Sequence, residues 1–186
     1  MKVSKIFLQI AALIAVIAGA LYLARIASHN EVIQEIISTY GYIGIFFLAL
    51  ISGFNLVVPI PAISFLPLFI ESGLSFWPTI LIIALGMTAA DFISYVLVRA
   101  GRDIVSESWG NKIFEKFDAL REKYERYPLA ILFIFASVVP LPNEILLVPA
   151  TFWGYSWKQL LPVVLAGNLI FNILFAKGLM NVFNAI

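Results

Sequence analysis

The stretch that most constrains this chain is Val138-Val139-Pro140-Leu141-Pro142-Asn143-Glu144-Ile145-Leu146-Leu147-Val148-Pro149. It lies inside an apolar run long enough to enter a bilayer. Proline in a helix interior removes a hydrogen bond and clashes with the preceding turn, so Pro140 and Pro142 forbid an uninterrupted membrane helix. Asn143 and Glu144 add polar and ionisable groups at a depth where they are expensive and, by default, functional. The pattern occurs once before, as Val57-Val58-Pro59-Ile60-Pro61, at an offset of 81 residues. The same offset carries Gly73 onto Gly154, Ser75 onto Ser156, Gly86 onto Gly167, and Asp91 onto its near-isostere Asn172. Matches at one fixed spacing predict a duplicated unit.

Of the 186 residues, 62% are hydrophobic and 12% charged, against about 25% charged in an average soluble domain. A core this small cannot bury so much apolar surface. The chain is therefore expected to be an integral membrane protein, of the inner membrane if prokaryotic. Its length allows roughly five or six segments of about 20 residues. A net charge of +1 gives no sign of nucleic-acid binding. Cysteine is absent, which excludes disulfides and thiol chemistry. His29 is the sole histidine, and a zinc site needs several ligands. No metal and no cofactor is expected.

Lys2 and Lys5 precede an apolar run, Ile6 to Ala24, closed by Arg25. The run is too long for a usual signal core and no clean cleavage site follows it, so a retained transmembrane helix is expected. From Ser28 to Tyr40, the spacing of Val32, Ile33, Ile36 and Ile37 predicts a short surface helix. Residues 1–39 then form an N-terminal unit and 40–186 the main domain. That domain divides into a first repeat over about 40–100, an amphipathic connector over 101–127 and a second repeat over about 128–186. In the first repeat, Tyr40 to Ile70 is a proline-broken segment and Phe76 to Val98 a spanning helix ending at Arg99–Arg102. In the second, Pro128 to Trp153 is broken and Leu160 to Val182 spans. Trp77, Trp153, Tyr155 and Trp157 are expected as interfacial anchors.

Charge decides between topologies. The stretch from Arg99 to Arg126 holds seven Lys/Arg residues. If each broken segment crossed the membrane once, that stretch would lie opposite Lys2 and Lys5, against the positive-inside tendency. If each broken segment enters, turns at its prolines and leaves on the same side, the basic stretches and the N-terminus all lie inside. The two copies then have opposite orientations. The expected fold is an all-α membrane protein: an N-terminal transmembrane helix, then an inverted repeat of two re-entrant helical hairpins, each followed by a transmembrane helix. Inverted repeats whose broken helices meet near the midplane are a recurring transporter plan.

Several of these residues together resemble the DedA family, whose members carry the SNARE-associated or VTT domain. The resemblance runs from about Tyr40 to Asn181. It is carried by Gly41 with Gly44, Pro59-Ile60-Pro61, Gly86 followed by Asp91 and Tyr95, Arg99 with Gly101-Arg102, the Pro140–Pro149 hairpin and the Gly154–Trp157 turn. It implies two facing re-entrant hairpins and movement of lipids across bilayers. Bacterial members are associated with recycling polyprenyl-phosphate carriers or aminophospholipids, eukaryotic relatives with scrambling, and some members with proton coupling. The chain departs from the family pattern at two places. Acidic residues usually flank the first Pro-x-Pro, where this chain has Phe54-Asn55 and Ala62-Ile63. Arginines usually surround the second hairpin, where it has Ser137 and Asn143-Glu144.

Glu144 is the sharpest candidate for chemistry. A carboxyl group beside a helix break is desolvated and could exchange a proton, or could cap the returning arm through its free N–H groups. Asp91, midway along Phe76–Val98, must face protein or water. It serves transport or a hydrogen bond to Asn168 or Asn172. Asn55, Asn143, Asn168 and Asn172 could line a path for a lipid headgroup, or join helices. Pro59, Pro61, Pro140 and Pro142 make the breaks. Arg99 and Arg102 satisfy the interface, with headgroup contact the lesser role. No hydrolase constellation, nucleotide loop or matched aspartate pair is present, so no enzyme is expected. The expected function is movement of phospholipid or polyprenyl-phosphate headgroups, with membrane lipids and protons as partners. A proton- or ion-coupled carrier of a small solute and a non-transporting scaffold are the alternatives.

Overall fold

The computed structural model describes residues 29–53, 61–109 and 127–185, with scattered positions among the first 28; side chains are described to residue 101 in the second stretch and 182 in the third. Every regular element among the described residues is a helix. Helix α1 is Glu31–Gly53. A 3₁₀ turn, Ala62–Phe65, leads into α2, Leu66–Glu71. Helix α3 is Phe76–Trp109, α4 is Tyr127–Val138, α5 is Glu144–Phe152 and α6 is Trp157–Ala185. Three stretches, Glu31–Gly53, Phe76–Gly101 and Trp157–Val182, are long and apolar enough to cross a membrane. Asn55, Pro59, the connector over 110–126 and most of Ile6–Ala24 lie outside the described residues.

Two boundaries differ from the sequence reading. The polar stretch before Tyr40 is not a separate surface helix, because α1 runs unbroken from Glu31 to Gly53. Polarity changes along this segment, but no residue in it breaks a helix, and Asn30 Oδ1 caps its start by accepting the Ile33 N–H at 3.1 Å. Likewise α3 does not stop at Arg99–Arg102 but continues to Trp109. Arginine is a good helix former; the charges mark where apolar composition ends, not where the backbone does.

The turns after α2 and α5, 81 residues apart, share their local backbone. Gly73 and Gly154 have φ of +89° and +85°, in the left-handed region that glycine enters without cost. After α2, Gly73 N–H bonds Ile70 O at 3.0 Å and Leu74 N–H bonds Phe69 O at 3.1 Å. After α5, Gly154 N–H bonds Thr151 O at 3.0 Å and Tyr155 N–H bonds Ala150 O at 3.2 Å. Both are Schellman caps, in which the residue after the glycine folds back onto its helix. That is why Tyr155 is fully buried and is not the interfacial anchor expected from composition. Trp157 is half-buried, its ring 5.1 Å from Phe92 and 5.5 Å from Tyr95.

Glycines set the helix spacing. A Cβ on Gly86 would lie 2.6 Å from Ala49 Cβ and 2.7 Å from Phe46 O, so α3 rests on the α1 backbone. One on Gly53 would strike Ala90, and one on Gly41 would meet Leu74 Cδ1 at 2.6 Å. The pairs 49–86 and 53–90 advance together, so α1 and α3 run parallel. The chain must therefore return before α3 starts. It does so through α2, ending with Leu74 beside Gly41 and with Ser75 N–H donating to Tyr42 Oη at 3.1 Å. Residues 31–40 project beyond that level. In the second half, Gly167 of α6 similarly rests on Ala136 of α4.

Helices α3 and α6 cross in opposite directions. Met87 meets Asn172, Asp91 meets Asn168, and Phe92 and Tyr95 meet Trp157. One apolar core gathers Ile45, Ala49, Leu66, Ile80, Ile83 and Leu179. A second gathers Leu132, Leu147, Tyr155, Leu160 and Val164. Between them, α3 contributes Thr88, Asp91 and Ser94, and α6 contributes Asn168 and Asn172, all buried.

The backbone contact at Gly86 predicts that Gly86→Val lowers the thermal midpoint of the detergent-solubilised protein by several degrees, since overpacking costs about 1–3 kcal/mol. At Gly44, nothing lies within 4 Å of an added Cβ, so Gly44→Ala should leave the midpoint unchanged or raise it through helix propensity. Equal midpoints for the two variants would contradict the close crossing.

Candidate functional site

The second break is where buried polar groups converge. Pro140 and Pro142 prevent the helix from continuing, and α5 restarts at Glu144 with Asn143 as its N-cap residue. Asparagine at this position ordinarily spends its side chain on the first free N–H groups of the helix. Here it makes no such bond. Instead, Ile145 N–H bonds Pro142 O at 3.2 Å and Leu146 N–H bonds Asn143 O at 3.0 Å. These tight i→i+3 bonds satisfy the helix start and release the Asn143 amide for other partners.

Those partners are on α3 and α6. Asn143 Nδ2 donates to Asp91 Oδ2 at 3.1 Å and to Asn168 Oδ1 at 2.9 Å. Asn168 Nδ2 donates to the same Asp91 oxygen at 2.9 Å and to Thr88 Oγ1 at 3.1 Å. Thr88 Oγ1 itself donates to Ala84 O at 2.8 Å. Three helical segments are thus joined through one carboxylate oxygen. Amide hydrogen bonds to a charged acceptor are stronger than neutral ones, and those groups would be costly if left unmated at this depth.

Glu144 sits beside this network and has different partners. Its Oε1 accepts the Ser94 hydroxyl at 3.2 Å, while its buried Oε2 has no hydrogen-bond partner. The acid opens α5, where the helix dipole favours negative charge. Asn172, one turn beyond Asn168, does not reach Asp91. Its Nδ2 donates to Asn168 O at 2.7 Å and touches Met87 Sδ at 3.4 Å, and its Oδ1 is buried without a partner.

Of the residues singled out from sequence, Asp91, Asn143 and Asn168 come together, with Glu144 and Asn172 at the margins. Arg99 lies two turns past Asp91 and is half-buried; Arg102 is helical, with its side chain outside the description. Ser137 bonds Phe133 O on its own helix at 2.7 Å and stays out of the cluster. Sequence reasoning missed Thr88 and Ser94. Their three-residue spacing from Asp91 places all three on one face of α3, and that was the available signal.

Two small spaces adjoin the network. One of about 50 Å³ is lined by Pro61 and Ala62 from the first break, Pro140 and Pro142 from the second, and Asn143 and Asn168. A smaller one of about 30 Å³ touches Gly53, Met87, Asp91, Leu141, Pro142 and Asn143. Among the described residues no group of histidine, cysteine and acidic side chains is arranged to hold a metal ion.

A family model described as the VTT domain matches residues 58–178. The chain belongs to the VTT-domain family, which defines the DedA or SNARE-associated proteins. With its three long apolar helices, this VTT-domain protein is an integral membrane protein. No curated protein and no solved structure matches it.

The network predicts a contrast between two substitutions at Asp91. Asp91→Ala leaves two buried amide N–H groups unmated, at about 1–3 kcal/mol each, and should lower the thermal midpoint in detergent clearly. Asp91→Asn retains an acceptor oxygen and should recover most of that loss. Alanine and asparagine variants that melt together would show that the amides do not depend on Asp91.

Proposed function

We propose that this VTT-domain protein moves the headgroups of phospholipids or polyprenyl phosphates across the bilayer between two re-entrant hairpins that enter from opposite faces. The observation that carries this reading is the buried polar network at the second break, beside a space that residues of both breaks line together. A lipid's tails can stay in hydrocarbon while its headgroup alone needs polar partners. The reading gives Asn143, Asn168 and Asp91 that task, with Glu144 and Asn172 at its edges. Movement is downhill or coupled to protons through the buried carboxyl groups, and the protein acts as a transporter and not as an enzyme.

The re-entrant arrangement has support of its own. Helix α5 rises about 14 Å and the arm from Ala62 to Glu71 about 15 Å, half of a hydrocarbon core of about 30 Å. Leu74 returns to the level of Gly41, as expected for a hairpin that leaves by the side it entered. The opposite run of α3 and α6, each following the same Schellman turn, agrees with an inverted repeat. Irregular backbone at such depth is tolerated where protein or a wet cavity covers it.

Single cysteines in this cysteine-free chain test the topology. With the N-terminus inside, a cysteine at position 33 reacts with an impermeant reagent from outside and one at position 115 from inside. Labelling of both from one face would remove the re-entrant reading.

Transport is tested with purified protein in liposomes carrying headgroup-labelled phospholipids or a labelled polyprenyl phosphate. A membrane-impermeant quencher is added with and without a pH gradient. Quenching beyond the outer-leaflet fraction, faster than in protein-free liposomes, is the expected outcome. Rates equal to protein-free controls for every lipid, with uptake of a small solute instead, would transfer the reading to a coupled solute carrier.

A further inference from the structure

The two amide groups at the centre of the network have no donor capacity left. An amide nitrogen carries two hydrogens. Asn143 Nδ2 spends its pair on Asp91 Oδ2 and Asn168 Oδ1; Asn168 Nδ2 spends its pair on Asp91 Oδ2 and Thr88 Oγ1. Any new acceptor must displace one of these. Asn168 Oδ1 and Thr88 Oγ1 are neutral and cannot be changed by a proton at ordinary pH. Asp91 is the one acceptor in the set that protonation converts into a weaker one.

The surroundings add a direction. Asn143 and Asn168 line the larger space, shared with Pro61, Pro140 and Pro142, whereas Asp91 does not border it and lies on the smaller one. Asn143 lines both spaces and hydrogen-bonds Asp91, so it links Asp91 to the space that both breaks line. A space of about 50 Å³ exceeds the roughly 10–15 Å³ that holds one water and admits a group of a few heavy atoms. Two anionic oxygens a few ångströms apart in a low dielectric repel strongly, so a second anion cannot enter while Asp91 is ionised. The titratable group facing Asp91 from another packed element is Glu144 on α5. On α3 itself Tyr95 lies one turn on and Arg99 two. Residues 49–53 of α1 and 164–175 of α6 contain no titratable side chain.

We propose that the Asn143 and Asn168 amides form a cradle for one oxygen of a phosphate ester, which Asp91 Oδ2 fills in this state and gives up on taking a proton from solvent. Binding is an exchange. The Asp91 carboxylate gains H⁺ and becomes a carboxylic acid, each amide turns one N–H from Asp91 to the incoming oxyanion, and one proton enters for each anion bound. No covalent bond forms in the ligand. Asp91 is thus the internal competitor of the substrate, and two neutral amides recognise the anion without a cation. The inference rests on the headgroup reading above, of which it names the recognition groups. The chemistry it specifies, an oxyanion of a phosphate ester or of phosphate itself, is shared by lipid headgroups and free phosphate.

The test is proton-linked binding by the full chain in a phosphate-free maltoside micelle. Titration calorimetry is run in two buffers of different ionisation enthalpy, with dihexanoyl-phosphatidylglycerol in one arm and inorganic phosphate in the other. Dihexanoyl-phosphatidylglycerol should bind with uptake approaching one proton per lipid, its affinity falling about tenfold per pH unit on the alkaline side. Asp91→Asn should bind it with no uptake and no pH dependence. Uptake with inorganic phosphate alone would keep the cradle and reject the lipid as its source. Binding of either probe without proton uptake, or uptake unchanged in Asp91→Asn, overturns the proposal. So does failure to bind either probe, even where the liposome assay shows lipid movement, which would leave the headgroup reading standing. Should Asp91→Asn not fold, infrared difference spectra of the unaltered protein serve the same purpose. With the ester carbonyls of the lipid ¹³C-labelled to move their own band away, or with inorganic phosphate as the probe, a protonated-carboxyl band appearing on addition supports the exchange, and its absence overturns it.

Discussion

A helix broken within a packed interior leaves backbone and side-chain polar groups that have no water to bond, and the structure around the second break is arranged by that constraint. Pro140 and Pro142 end one helix, and Glu144 starts the next. The start of α5 closes on itself through tight turns, so Asn143 can reach outward. It reaches α3 at Asp91 and α6 at Asn168. Because α3 and α6 run in opposite directions, one short polar contact fixes the depth of the break relative to both. The apolar cores on either side then need only pack.

The segments 81 residues apart share a backbone turn and differ in polarity. The Schellman turns at Gly73 and Gly154 match bond for bond. The side chains at the crossing do not. Asn143 and Glu144 of the second half stand where the first half has Ala62 and Ile63, and Asn168 stands where it has Met87. Only Asp91 and Asn172 are alike in shape, and they differ in charge. The contact between Asp91 and Asn168 therefore has its counterpart in the contact between Asn172 and Met87, a strong hydrogen bond facing a weak one to sulfur. The crossing of α3 and α6 thus has one charged arm and one neutral arm.

What could be read from sequence follows from which forces act locally. Prolines, the glycines that need positive φ or close contact, and ionisable residues inside apolar runs each impose their consequence on the residue itself, so Pro61, Gly86, Gly154, Asp91, Asn143 and Asn168 could be named in advance. The fate of a hydroxyl could not. Thr88 and Ser94 are ordinary helix residues until an amide and a carboxylate arrive from segments 80 and 50 residues away in sequence. Helix ends set by polarity alone were also misplaced, at Tyr40 and at Arg99, because solvent preference and backbone continuity are separate matters. Tyr155 looked like an interface aromatic by composition; the cap that precedes it turns its ring into the core.

The unmated atoms complete the argument. In a fully settled polar core, every buried oxygen finds a donor, and the Asp91 oxygen that accepts both amides meets that standard. Glu144 Oε2 and Asn172 Oδ1 do not, and they lie on opposite margins of the same network. Each could be satisfied only by a group that the chain itself does not supply there, or by a rearrangement of α5 or α6. The network is thus tight at its centre and incomplete at both edges. A purely structural polar cluster gains nothing from that pattern, since each orphaned acceptor costs about 1–3 kcal/mol. The headgroup reading proposed above gives that pattern a use: the orphaned acceptors at the edges can meet donors of a transiting group, while the centre holds the helices until Asp91 takes a proton and its amides change partner.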